Sequence, residues 1–336
     1  MAVVKADAYG HGASLVAPIL ADAGADAFGV ATVDEGIELR AAGIGAPILV
    51  LYGVDPRTAQ LARDHDLAVA VVDAADVAPL ATGGGGPPLR IHLEVDTGMT
   101  RLGVRPEEVS TVIDSIRAAP GLELVGLFAH LGNADDAHTR FAESQVRTFA
   151  EVVATVEAAG RRPRWVHLAN SVATLTRPDT HLDMVRPGVA LYGVRPGSAV
   201  GVRLEPVMAL ETCIWRLWEV PAGRHVGYDQ TFVTQRPTSI AVLPMGYGDG
   251  FWRALSNRGR VMIDGRTAPV IGRVCMDVVM VDVTDLPPLE RFDPVLVWGR
   301  SGAACHPVDE IARACDTIAY EVLSRVGKRV PRILRS

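Results

Sequence analysis

Over the first two hundred or so residues, short apolar runs alternate with segments whose apolar positions recur every three or four residues. The runs are AVVKA at the start, AFGVAT (27–32), PILVLY (47–52), LAVAVVD (67–73), RIHLEVDTG (90–98), LELVGLFAHL (122–131), WVHLANS (165–171) and VRPGVALYG (185–193). Strands that are apolar on both faces belong to parallel sheets covered on both sides. The segments between them, such as 108–119 and 144–159, carry helical periodicity. Eight β/α units over roughly 200 residues predict a (β/α)8 TIM-type barrel, with a doubly wound open sheet as the alternative. GGGG at 83–86 reads as a loop between units, because its flanks are wrong for a phosphate-binding fingerprint.

Beyond about residue 200 the pattern changes. LETCIWRLWEV, HVGYD, SIAVLPMGYGDG, GRVMIDGRTAPVIGRVCMDVVMVDV and DPVLVWG are strand-like and punctuated by Gly, Pro and Asp. One helix is predicted over 306–327. The chain therefore divides into a barrel, 1–200, and a mostly β C-terminal domain, 201–336.

Composition narrows the class. The 336 residues have 49% hydrophobic content and a net charge of −6, enough apolar material for a sizeable core and no electrostatic case for nucleic acid. No apolar run is long enough to span a bilayer, and no secretory signal pattern opens the chain. Cys213, Cys275, Cys305 and Cys315 form no CxxC pair, which suggests neither a disulfide framework nor a metal site. A reducing cytoplasm is the simplest compartment.

The cations carry the strongest chemical hint. Of 33 Lys and Arg residues only Lys5 and Lys328 are lysines. A lysine can lose its proton and act as nucleophile or base, which arginine cannot. On the barrel reading Lys5 ends the first strand, at the C-terminal face where barrel active sites lie. Arg101 follows the fifth strand and His130 ends the sixth. Asn170 and Ser171 end the seventh, while Arg186, Gly188 and Val189 belong to the eighth. The loops after strands seven and eight are a common phosphate seat. An amine, a phosphate seat and an arginine in one mouth suggest pyridoxal 5′-phosphate held as a Schiff base. Singly, each of these residues is more often structural; their convergence is the signal.

VVKADAYGHGA, VDTGMTRLGV, HLANS, VRPGVALYG, HVGYDQTF, GYGDG, GRVCMD, IAYEVLSR and RVPRI occur in an order and spacing that resemble the alanine racemase family, from Ala2 to the C-terminus. The resemblance implies pyridoxal-phosphate-dependent interconversion of L- and D-alanine for peptidoglycan. It implies a homodimer with shared active sites and no metal. Lys5 is implied as cofactor anchor and one acid/base, Tyr228 of the partner subunit as the other. A hydrogen-bonded chain is implied from Tyr228 through His130 to Arg186, with Arg186 facing the pyridine nitrogen; a permanent guanidinium there disfavours a proton on that nitrogen and is expected to restrain transamination. Tyr9, Asn170, Ser171, Gly188, Val189 and Tyr320 are implied as the phosphate seat. Arg101 is expected near the phenolic oxygen and the substrate carboxylate. Tyr247 and Met276 are expected to narrow the entrance, supported by Asp277.

Two features depart from the pattern. Many members carry a lysine, often carbamylated, where this chain has Glu94; a carboxylate there is expected to pair with Arg101. Members also have a strand and a helix before the lysine, which this sequence does not contain: its start lies upstream, or the protein does without them. The rival readings are a racemase of another small amino acid such as serine, a related decarboxylase, and a non-catalytic or truncated cofactor-binding form.

Overall fold

A computed structural model describes residues 1–81, 87–132, 138–197 and 201–335. The GGGG run lies outside the described residues. The chain forms two compact units, Met1–Leu204 and Glu205–Ser336.

In the first unit seven parallel strands follow one another in chain order. They are β1 (Ala2–Val3), β2 (Phe28–Val30), β3 (Ile48–Val50), β4 (Ala68–Val71), β5 (Leu89–Val95), β6 (Leu122–Ala129) and β7 (Trp165–His167). β2, β3 and β4 are buried at every position, as their unbroken apolar runs demand. The helices between strands bury one stripe each. Val109, Val112, Ile113 and Ile116 face inward from Val109–Ala118, and Phe149, Val152 and Val156 do so from Arg140–Ala158.

The eighth predicted strand is not a ladder strand. Pro187 has no N–H to donate, and Val189–Tyr192 winds into a 3-10 turn. The segment still completes the ring, through single hydrogen bonds. Asp183 N and Arg186 N donate to Val166 O (3.1 Å) and Ala169 O (2.9 Å) on the β7 side. On the other side Val3 N donates to Pro187 O (3.0 Å), and the Met1 amine to Val185 O (2.9 Å). The fold is thus the expected barrel, closed by an irregular eighth element.

The second unit is antiparallel. β9 (Arg216–Val220), β12 (Thr238–Leu243) and β15 (Val279–Asp282) form one sheet in the order β15-β12-β9. A larger sheet is built on β16 (Pro294–Ser301), which pairs with β8 (Leu210–Cys213), β13 (Arg260–Ile263) and β17 (Ala304–His306); β14 (Arg266–Pro269) extends it beyond β13. β10 (His225–Val226) and β11 (Phe232–Val233) make a small hairpin. The single helix predicted over 306–327 is two, Val308–Ala314 and Ala319–Ser324. The break falls where Asp316 adopts φ 56° and Thr317 N bonds back to Ala312 O.

Candidate active site

Lys5 is displayed by an unusual turn. Straight after β1, residues Ala6, Asp7, Ala8 and Tyr9 all take left-handed backbone angles, with φ between 53° and 54°. Such a conformation costs an L-residue about 1–2 kcal/mol, so the surroundings must hold it. Ala8 is fully buried, and its N–H reaches Val4 O at 2.8 Å. Glu35 clamps the start of the turn: its carboxylate accepts Ala6 N and Ala31 N, each at 2.7 Å. Asp7 accepts Ala13 N at 2.6 Å at the start of the next helix. The turn leaves the Lys5 amine 2.5 Å from the Tyr52 hydroxyl.

The same turn carries Tyr9 across to the end of the barrel sequence. A Cβ placed on Gly188 would lie 2.4 Å from Tyr9 Oη, so only glycine admits the phenol there. Ser171 Oγ accepts Gly188 N (2.8 Å) and Ala190 N (3.4 Å). Both lone pairs being engaged, its O–H proton remains to be donated. Asn170 caps the following helix through Ala173 N (3.1 Å), and Val189 is buried beside it. Two hydroxyls converging on a glycine with no room for a side chain form a small neutral cradle, which suits a phosphate. The chain's own residues therefore fit pyridoxal phosphate.

Beneath the mouth lies Arg186, buried, with no carboxylate in contact among the described residues. It donates to Ala129 O (2.8 Å), Leu168 O (3.2 Å) and His167 Nδ1 (2.7 Å). Burial pulls its pKa down to about 10, opposed by the field of Glu94. His167 Nε2 continues to His92 Nδ1 at 2.9 Å. Gly126 makes room for that ring; a Cβ there would lie 1.9 Å from His92 Nδ1. The expected link from His130 to Arg186 is not made: the arginine's side-chain bond goes to His167. His130 is instead held at its backbone, where Gln145 Nε2 donates to its carbonyl at 3.1 Å. Burial, then the charges of Arg186, Arg101 and Lys5, push its imidazole down to about 3.

Arg101 stands on the loop after β5. Asp96 Oδ1 ties that loop by accepting Gly98 N (2.9 Å) and Thr100 N (3.0 Å). The guanidinium is exposed and sits over the Tyr52 ring, 5.5 Å from its centroid. Glu94 is buried on β5 and makes no ion pair with Arg101. Burial raises its pKa to about 7, against the pull of Arg186 and Arg101. The two residues interact through their fields and not by a bidentate contact.

The remaining candidates lie in the second unit. Tyr228 is 68% exposed on the β10–β11 turn, between Gly227 at φ 72° and Asp229 at φ 58°. Arg273 pairs with Asp229 at 3.4 Å. Tyr247 and Met276 are brought together: Tyr247 N donates to Cys275 O (3.0 Å) and Gly248 N to Met276 O (2.9 Å). Arg329 joins the two loops, pairing with Asp249 (2.6 Å) and Asp277 (2.7 Å). Tyr320 is half-buried on Ala319–Ser324.

Reading the sequence missed Glu35, Tyr52, Gln145 and His167. His167 alone had a signal, opening the HLANS motif. Among the described residues no group of acidic, His and Cys side chains could hold a metal, and no helix is long and apolar enough to cross a membrane.

Comparison with known proteins follows the same division. The family model "Alanine racemase, N-terminal domain" matches residues 1–196, and "Alanine racemase, C-terminal domain" matches 207–334. The alanine racemase of Desulfovibrio desulfuricans is 41% identical over 335 residues, covering 98% of this chain and 90% of the relative. That of Symbiobacterium thermophilum is 42% identical over 336 residues, covering 99% and 89%. Among solved structures, alanine racemase from Clostridium difficile superposes with a TM-score of 0.93 at 32% identity, covering 98% of this chain and 87% of that one. The Bacillus anthracis enzyme with bound L-Ala-P gives 0.93 at 35%, covering 99% and 88%.

Proposed function

The chain belongs to the alanine racemase family, and we propose from that premise which of its residues carry the reaction. It is an amino-acid racemase that interconverts L- and D-alanine. The observation that carries the residue assignment is the gathering of one barrel mouth: the Lys5 amine, the Tyr9–Ser171–Gly188 cradle and the buried Arg186.

Pyridoxal phosphate would be anchored covalently by Lys5. Tyr9, Asn170, Ser171, Gly188, Val189 and Tyr320 would hold its phosphate, Arg101 its phenolic oxygen and Arg186 its pyridine nitrogen. Bound there, it supplies an electron sink that acidifies the substrate Cα–H. Lys5 Nζ then exchanges the Cα proton on one face and Tyr228 Oη on the other. Two bases on opposite faces invert the centre without turning the substrate over. Neutral His130 can accept or donate a hydrogen bond without adding charge to the site. Arg186, a cation in this site, would disfavour a proton on a pyridine nitrogen held beside it and so would limit how far that sink extends. Tyr247 and Met276 restrict the side chain admitted, Asp277 steadies them, and Glu94 supplies negative potential to Arg101.

The barrel, 1–200, is the cofactor-binding domain in this reading, and 201–336 delivers Tyr228 to the barrel of a second subunit. A homodimer follows, with D-alanine for peptidoglycan as its product in the cytoplasm. The test is L-alanine with cofactor in deuterated water. D-alanine carrying deuterium at Cα is expected, and Lys5→Ala and Tyr228→Phe should each abolish its formation. Deuterated D-alanine formed from L-alanine by both variants overturns the assignment. A faster rate with serine than with alanine overturns the substrate.

A further inference from the structure

Tyr52 stands directly after β3, at the barrel face that carries Lys5 and Arg101. Its hydroxyl is 2.5 Å from Lys5 Nζ. The amine also lies 4.7 Å from the ring centroid, and the Arg101 guanidinium carbon 5.5 Å from it. One phenol thus contacts the reacting amine through its oxygen and offers its π-system to both cations. Cations are drawn to such a ring face, so Tyr52 offsets part of the repulsion between Lys5 and Arg101.

We propose that Tyr52 is a further catalytic residue of the lysine face: its phenol oxygen accepts a hydrogen bond from the Lys5 amine and aims that amine for proton exchange. The inference rests on the reading of Lys5 as an acid/base. When Lys5 takes the Cα proton, an N–H bond forms as the C–H bond breaks, and the C–H electron pair stays with the substrate. The new ammonium has three N–H donors, and Tyr52 Oη accepts one of them. The phenol keeps its own proton throughout and is neither acid nor base. Hydrogen bonds to a charged donor are stronger than neutral ones, so the bond to Tyr52 tightens as the Cα proton reaches the nitrogen. It therefore assists abstraction by Lys5 more than return by Lys5.

The two enantiomers have equal free energy, so kcat/KM must fall equally in both directions when Tyr52 is altered. The rates alone cannot report on a single face, but deuterium isotope effects can. In Tyr52→Phe, abstraction by Lys5 becomes more rate-limiting. The isotope effect with Cα-deuterated substrate should then rise for one enantiomer and stay level or fall for the other. A change of equal size for both enantiomers, or none, overturns the proposal. A second readout needs no turnover. Without its acceptor the Lys5 amine is no longer aimed into the mouth, so the apo variant should capture pyridoxal phosphate about three- to tenfold more slowly, followed by absorbance. An unchanged or faster capture rate also overturns it. Borohydride reduction and peptide mapping of the unaltered protein separate this from the parent reading. Label absent from Lys5 defeats that reading. Label on Lys5 with unchanged Tyr52→Phe behaviour defeats only the role of Tyr52.

Discussion

Arg186 Nη1 lies 2.7 Å from His167 Nδ1, and that contact sets the protonation of the whole barrel floor. A guanidinium can only donate, so His167 Nδ1 must accept. His167 is neutral, because burial and then the Arg186 charge hold its pKa well below the ordinary value. Its proton therefore sits on Nε2 and is donated to His92 Nδ1, which places the His92 proton on Nε2 as well. Arg186→Glu reverses this logic. The acid would accept from His167, and on the proposed reading a pyridine nitrogen bound beside it would hold a proton. Racemisation should fall roughly a hundredfold, with pyruvate from transamination rising per racemisation event. An unchanged ratio of the two products rules out the restraint assigned to Arg186.

Acid stability follows from the same floor. His92 and His130 are pushed down to about 3, and His167 well below its ordinary value, each first by burial and then by Arg186. The unfolded chain binds protons at all three near pH 6.5 while the folded chain does not. Stability gained from keeping them neutral is present above that pH and lost on acidification. Glu94 works in the opposite sense between about 4.5 and 7, since its folded form holds the proton. Among these four groups the net difference is near two protons, a contribution of roughly 2.7 kcal/mol lost per pH unit below pH 6. Melting temperatures from pH 5 to pH 8 should drop steeply below 6.5.

Glu94→Gln separates stability from function. Above pH 7 the buried carboxylate is charged at a cost, so the amide should stabilise the fold at pH 8 by about 3 kcal/mol at most. Below pH 5 the gain should vanish. The lost negative potential should at the same time weaken Arg101 as a substrate anchor and raise KM for alanine severalfold. A lower melting temperature at pH 8 contradicts the first claim, and an unchanged KM the second.

Glu35→Ala should loosen the turn that presents Lys5. The substitution removes the acceptor of both Ala6 N and Ala31 N. A left-handed run of four residues depends on such fixed partners, and losing the one at Ala6, with Ala31 N left unpaired as well, should cost about 1–3 kcal/mol. Amide exchange should quicken over residues 5–10 and stay unchanged in β5 and β6. Faster exchange spread evenly over the barrel would mean that Glu35 serves general stability and not the turn.

What the sequence made legible was periodic or local. Unbroken apolar runs marked the seven ladder strands, and strand-end motifs placed Lys5, Arg101, His130, Asn170 and Arg186 on one face. What escaped depends on partners distant in sequence. Tyr52 meets Lys5 across 47 residues, Glu35 meets Ala6 across 29, and Arg186 meets His167 across 19. No repeat of 2 or 3.6 residues encodes such pairs. The eighth strand was misread for a different reason: 185–193 is as apolar as its neighbours, but Pro187 lacks the donor that a ladder needs. The final helix was overextended because its apolar periodicity survives a break at Asp316 that only the backbone reveals.

Gly188→Ala tests the cradle with the smallest possible change. Gly188 has φ −117°, outside the left-handed region that favours glycine. The obstacle is Tyr9 Oη at 2.4 Å and Tyr9 Cζ at 3.1 Å from the added Cβ. Tyr9 cannot simply swing away, because its ring packs against Tyr192, with centroids 5.1 Å apart, and its backbone closes the left-handed turn. Relief must come from shifting the turn, which overpacking of this kind prices at about 1–3 kcal/mol. Moving the turn displaces the Tyr9 hydroxyl from Gly188 and Lys5 from the mouth together. Cofactor affinity should fall at least about tenfold, the equivalent of 1.4 kcal/mol, measured by titrating the apo protein. Tyr9→Phe in the same background removes the clashing oxygen and should restore the melting temperature without restoring the affinity. Recovery of both would show that the Tyr9 hydroxyl acts only as a spacer and contributes nothing to the phosphate seat.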